Sequence, residues 1–345
     1  MKIATNLTMK IKSLLLTTVL IVLSVSISVL IAEFGTRILF PALVPSSQIS
    51  FVAGKGDDPA LGPRSTSLRQ VKNTGDFDVT INFNKYGLRD AKDLATATPD
   101  DYFVAGDSLM FGWGVEEGQR FSDVLQNLIK TPVYNLAIPA DINGYEKLVD
   151  YAKKNGAQVR KLILVISEET NLKDYEKNQA PVAHNRGPKR PLMYVKEYLM
   201  THSALYFLVT SIIHKNPALK DLAVQFGLII PNLEGIAQRP YSRGVLVSSA
   251  DRTAKLASRY QTIVAVAPSR AHWYGDESDR AVARRIHSEF MELLLERELR
   301  VVDFRKTFEK SGSPLQYFFK NDGHWNPTGH AIGARAVAAY LTSGH

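Results

Sequence analysis

Tyr102-Phe103-Val104-Ala105-Gly106-Asp107-Ser108-Leu109 decides the fold: a short apolar run ends in a turn of small residues that presents a serine. Four more apolar runs follow, at 133–138, 162–166, 262–267 and 299–302, each separated from the next by helical pattern. Buried runs alternating with amphipathic helices predict a parallel sheet covered on both faces, a three-layer α/β/α domain with five strands. The helices expected are 120–129, 144–155, 276–297 and 327–341. In such a sheet reactive residues sit beyond the carboxyl ends of the strands, where Ser108 and the turn after Ile138 both fall.

A second stretch gives that serine its meaning. In Asn321-Asp322-Gly323-His324-Trp325-Asn326-Pro327 an Asp stands two residues before a His, just as a helix begins. Asn326 as N-cap and Pro327 at the first helical position fix the local backbone. A carboxylate at i−2 can then reach the imidazole Nδ1 proton and leave Nε2 free to face a serine. A serine hydroxyl is a poor nucleophile, so it needs such a base and preorganised donors for the developing oxyanion. Ser108, His324 and Asp322 are the expected nucleophile, base and orienting acid. His330 reads as core or surface, and His184, His202, His214, His272 and His287 have no acidic or motif context. Asp322, His324 and His330 match no zinc spacing, so no metal is expected.

These residues carry a family resemblance. Gly106-Asp107-Ser108-Leu109, with Phe111-Gly112-Trp113-Gly114-Val115 behind it, resembles the first block of the SGNH/GDSL hydrolases, and Asp322-Gly323-His324 their last. The G-x-S-x-G elbow of the α/β-hydrolases is absent. Tyr86-Gly87-Leu88-Arg89-Asp90 resembles the lead-in of membrane-anchored members, and Asp-x-His-Trp resembles the last block of alginate-type O-acetylation proteins. The resemblance implies a flavodoxin-like sheet and an oxyanion site made by the Ser108 N–H, a second-block N–H and a third-block asparagine. The second block here is Asn135-Leu136-Ala137-Ile138-Pro139-Ala140, which puts Ala140 where a glycine is expected. In the third, Ser167-Glu168-Glu169-Thr170-Asn171, Thr170 falls at the asparagine position and Asn171 one residue on; Asn171 is the favoured donor.

The remaining chain sets the context. There is no cysteine among the 345 residues, which excludes disulfides, a thiolate nucleophile and Cys-ligated metal. Residues 13–32 carry no charge and are long enough as a helix to cross a bilayer. Lys2, Lys10 and Lys12 precede them, so the N-terminus is expected in the cytoplasm and the rest of the chain outside. The formal charge of +8 includes those three lysines, and no nucleic-acid motif accompanies it. The expected organisation is a tail (1–12), a transmembrane helix (13–32), a linker (33–75) and an SGNH-like domain (76–345), with an insertion at about 175–258 as a lid or membrane-facing cap.

Together these readings imply an extracytoplasmic serine esterase or O-acyltransferase that needs no cofactor. Its substrate would be small acyl esters, above all acetyl, of an envelope or exported polysaccharide. Candidate partners are that acylated glycan, the bilayer and a membrane acyltransferase. A lipid esterase or lysophospholipase is one alternative. A catalytically weak scaffold or glycan-binding subunit of a membrane export complex is the other.

Overall fold

The computed structural model describes residues 2–44, 49–54, 56–176, 195, 198–199, 202–226 and 241–343. The first helix, α1 (Lys2–Leu39), contains a stretch, Leu14–Leu39, long and apolar enough to cross a membrane, and its most apolar window is not buried against the protein. The helix continues past Ala32, where the sequence reading ends the span. Glu33 and Arg37 pair across one turn at 2.7 Å and so extend the helix instead of breaking it.

Two strands follow, β1 (Thr66–Val71) and β2 (Asp78–Phe83), paired antiparallel with Val71 opposite Asp78. In β2 the expected alternation holds, with Val79, Ile81 and Phe83 buried. Strand β1 lies in the stretch read as linker. Only Leu68 and Val71 are apolar in it, so no period-2 signal exists; pairing with β2 makes the strand. Gln70 is buried there because it accepts the Gly114 N–H at 3.0 Å.

The domain then runs β3 (Tyr102–Ala105), α2 (Ser108–Phe111), α3 (Phe121–Ile129), β4 (Val133–Asn135), α4 (Ile142–Lys154) and β5 (Lys161–Ser167). After α5 (Ala204–Lys215), α6 (Pro217–Gln225) and α7 (Arg243–Ala257) it resumes with β6 (Gln261–Ala267) and α8 (Glu277–Glu296). It closes with β7 (Val301–Asp303), α9 (Phe304–Glu309) and α10 (Pro327–Thr342). The five-stranded sheet has the order β4-β3-β5-β6-β7, every neighbouring pair parallel. Successive strand residues face opposite sides, so β5 and β6 serve two cores. Leu162, Leu164, Ile166, Val264 and Val266 pack with α4, α7 and α8; Ile163, Val165, Ile263 and Ala265 pack with α3, α9 and α10. Burial on both faces is why these strands read as continuous apolar runs.

Of the stretch read as an insertion, residues 177–194, 196–197, 200–201 and 227–240 lie outside the described residues. Helix α7 does not belong to it, because it is the helix that leads into β6 and covers the sheet. Its buried face is mostly small, with Ser248, Ser249, Ala250, Thr253 and Ala257 beside Leu246 and Leu256. So weak an apolar stripe leaves no legible helical period.

Helix α5 bridges α1 and the hairpin. The Glu33 carboxylate of α1 accepts from Ser203 Oγ (2.7 Å), Ala204 N–H (3.0 Å) and Leu205 N–H (2.9 Å), a negative charge on a helix N-terminus. From the hairpin turn, Asn73 Nδ2 donates to Thr210 Oγ1 at 3.2 Å. Losing such a cap typically costs about 1 kcal/mol. Glu33→Ala is therefore expected to speed hydrogen exchange at Ala204 and Leu205 about fivefold, with the strands of the sheet unchanged. Unaltered exchange at those two amides would show that the carboxylate does not hold α5.

Candidate active site

Strand β3 ends at Ala105 and α2 begins at Ser108, so one tight turn sets the serine at the carboxyl edge of the sheet. Asp107 caps α2, its Oδ1 accepting the Leu109 N–H at 2.9 Å. Gly106 cannot be larger, since a Cβ there would lie 2.5 Å from Met110 Cγ. Asn135, at the end of β4, clasps the same turn by donating from Nδ2 to Met110 O at 3.0 Å. The lead-in braces it from outside. Buried Arg89 donates to the carbonyls of Gly112 and Val115, and Asp90 accepts the Asn135 N–H at 2.5 Å.

The loop before α10 brings the imidazole of His324. Asn326 caps that helix, accepting the Gly329 N–H at 3.0 Å, with Pro327 first in the helix. Trp325 is fully buried against Phe304 and Phe308 and pins the loop. His324 Nε2 then lies 2.8 Å from Ser108 Oγ, and Nδ1 bonds to Asp322 Oδ1. The same oxygen accepts the His324 N–H at 3.0 Å, which fixes the orientation of the imidazole to its carboxylate. Trp113 stacks on the imidazole, ring centres 5.6 Å apart and planes 20° from parallel. Asp322 is 5% exposed. Burial raises its carboxyl, but His324 and Lys72 outweigh that and hold it well below the usual carboxylate range.

The oxyanion candidates divide. Among the described residues neither the Ser108 N–H nor the Ala140 N–H has a hydrogen-bond partner, so both are free to donate to a ligand. The Ala140 methyl is accommodated by Gly144, where a Cβ would come 2.6 Å from it. The side chain of Asn171 is fully buried. Its Oδ1 accepts from Tyr145 Oη (2.9 Å) and the Ser167 N–H (2.8 Å), and its Nδ2 faces Ala140 O at 3.4 Å. Thr170 donates its hydroxyl to Asp107 Oδ2 at 2.5 Å, so it braces the turn before Ser108.

Residues without a local motif complete the site. Arg270 Nη1 donates to Asp322 O at 2.9 Å and Lys72 Nζ reaches Asp322 Oδ2 at 2.7 Å. Glu169 accepts from Ser269 Oγ at 3.0 Å, and burial pushes its carboxyl up to about 7 against that bond. His330 is buried and accepts the Phe121 N–H at 3.2 Å, a core role.

Residues 245–345 match the family described as the SGNH hydrolase-like domain of acetyltransferase AlgX. Over that stretch the chain resembles an SGNH hydrolase-like domain. Among solved structures it is similar to a member of the lipolytic protein G-D-S-L family from Veillonella parvula DSM 2008, at 12% identity over 70% of this chain and 98% of that one (TM-score 0.40). It is also similar to the lipase/acylhydrolase from Enterococcus faecalis, at 10% identity over 70% and 96% (TM-score 0.40). No curated protein matches the chain.

His272 and His287 do have an acidic context, contrary to the sequence reading, because their partner is far away in the chain. Buried Glu168 joins them: His272 Nε2 is 2.9 Å from Oε2, and His287 Nδ1 is 2.5 Å from Oε1. His287 Nε2 lies 3.2 Å from Asp303 Oδ1. The three ligand atoms lie within 4.8 Å of one another, close enough to hold a metal ion. The two Glu168 contacts are also hydrogen bonds between a carboxylate and an imidazole. Burial lowers the affinity of His287 for its proton, but Asp303 and Glu168 outweigh it and raise the group to about 9 from its ordinary 6.5. A folded-state value above the unfolded one contributes stability that is complete below pH 6.5 and is lost as pH rises through about 9. Thermal melts should therefore show the melting temperature falling across that window in the wild type, with His287→Gln less stable and flatter. A wild-type curve as flat as that of the variant would contradict the charged His287.

Proposed function

We propose that the protein is a membrane-anchored serine esterase or O-acyltransferase for small acyl esters, in which Ser108, His324 and Asp322 act as a triad. The observation that carries this is the 2.8 Å approach of Ser108 Oγ to His324 Nε2 while Nδ1 is held by Asp322. Ser108 Oγ attacks the ester carbonyl and passes its proton to His324 Nε2; Asp322 stabilises the imidazolium. The Ser108 and Ala140 N–H groups receive the developing oxyanion. His324 then returns the proton to the departing alkoxide, leaving the acyl group on Ser108. Water resolves that ester in an esterase, and a sugar hydroxyl in a transferase.

The AlgX-type match favours acetyl groups on an envelope or exported polysaccharide, with a membrane acyltransferase as the partner that would deliver them. We place the N-terminus in the cytoplasm and the domain outside, on the lysines that precede the apolar helix. One observation favours a second reading, a lipid esterase. A cleft of about 160 Å³ beside Trp113 has Ile49, Val71, Phe77, Tyr206 and Phe207 on its apolar side, wide enough for an acyl chain, and Gln70, Lys72 and Asn73 on its polar side. Rising kcat/KM along a series of p-nitrophenyl esters from acetate to longer chains would select it; a maximum at acetate selects the first.

Full-length protein in detergent should hydrolyse p-nitrophenyl acetate. Ser108→Ala and His324→Ala should each lower kcat about 10³-fold or more. Wild-type rates retained by Ser108→Ala would refute the assignment, and an inert wild type would favour a scaffold or glycan-binding subunit.

A further inference from the structure

We propose that Lys72, on the β1–β2 hairpin outside the sheet, is a positioning residue for Asp322; the inference rests on the triad reading above. The orienting carboxylate has two oxygens and only one is used by His324, which takes Oδ1 with both Nδ1 and its own N–H. A carboxylate held at one oxygen is free to turn about its terminal bond, where the torsional wells are broad. Lys72 Nζ takes the other oxygen at 2.7 Å.

Lys72 is not a wandering surface lysine. Its side chain is 31% exposed and that of Asp322 6%. The Lys72 N–H donates to Phe77 O at 3.0 Å, and the Gly75 N–H to Lys72 O at 2.9 Å, which closes the turn. The same turn grips the preceding residue of the loop, because Asp76 Oδ1 accepts the Asn321 N–H at 3.1 Å. Asn73 ties it to α5. The hairpin thus clamps the Asp322–His324 loop at two consecutive residues, and its partner in the clamp lies 250 positions away.

The charged and titratable groups around Asp322 and His324 are Lys72 and Asp76 from the hairpin, Asp107 from the turn before Ser108, Glu169 beyond β5, Arg270 beyond β6 and His330 from α10. Of these, Lys72 is the cation whose side chain reaches Asp322 Oδ2, a contact that a guanidinium can replace and an apolar side chain cannot.

The test compares full-length Lys72→Met and Lys72→Arg with wild type. Lys72→Met is expected to lower kcat about tenfold and leave KM within about twofold; Lys72→Arg should restore kcat. Unchanged kcat in Lys72→Met would overturn the inference and leave the triad intact. So would a raised KM alone, which would make Lys72 a substrate-binding group. If the wild type is inert the triad reading fails first, and hydrogen exchange at the His324 amide, which donates to Asp322 Oδ1, then decides. Faster exchange in Lys72→Met supports the clamp, and identical exchange refutes it.

Discussion

Parallel pairing of five strands is the constraint on which the rest depends. Because β3, β4, β5 and β6 all run the same way, their carboxyl ends deliver the turn of Ser108, the segment reaching Ala140, the run Glu168–Asn171 and the pair Ser269–Arg270 to one edge. The loop before α10 then has to place a single imidazole over that edge, and burial of Trp325 with the Asn326 cap does so. None of these contacts is strong by itself. Their joint effect is a serine, an imidazole and a carboxylate whose orientation is fixed before any substrate arrives.

Much of this supporting structure serves the turn and not the reacting atoms. Arg89, Asp90, Asn135 and Thr170 each spend their hydrogen bonds on backbone or carboxylate groups around Gly106-Asp107-Ser108. Burial raises the Asp107 carboxyl, with the bonds from Thr170 and the Leu109 N–H acting against it.

Local patterns were legible in the sequence and distant partnerships were not. Ser108, Asp322 and His324 could be named because each sits in a short stretch whose turn or cap dictates its presentation. The sheet was legible for the same reason: strands buried on both faces are apolar at every position. Lys72, Glu169 and Arg270 had no such stretch, since their roles arise only when β1, β5 and β6 meet the loop before α10. His272 and His287 were dismissed because Glu168 is 104 and 119 positions away from them. Asn171 is a different case. Counting along a block finds a residue type, but on a tight turn one position reverses the direction of a side chain, and Asn171 faces the interior. Helix α7 was missed because its buried face is serine and alanine.

The central claim is that an acyl group passes through Ser108. Brief exposure of the full-length protein to p-nitrophenyl acetate, acid quenching and peptide mass spectrometry tests it most directly. The account predicts an acetyl adduct on the peptide that carries Ser108, accumulating in His324→Gln if any is formed there only far more slowly than in wild type. An adduct confined to another residue, with Ser108 unmodified while product is released, would contradict it.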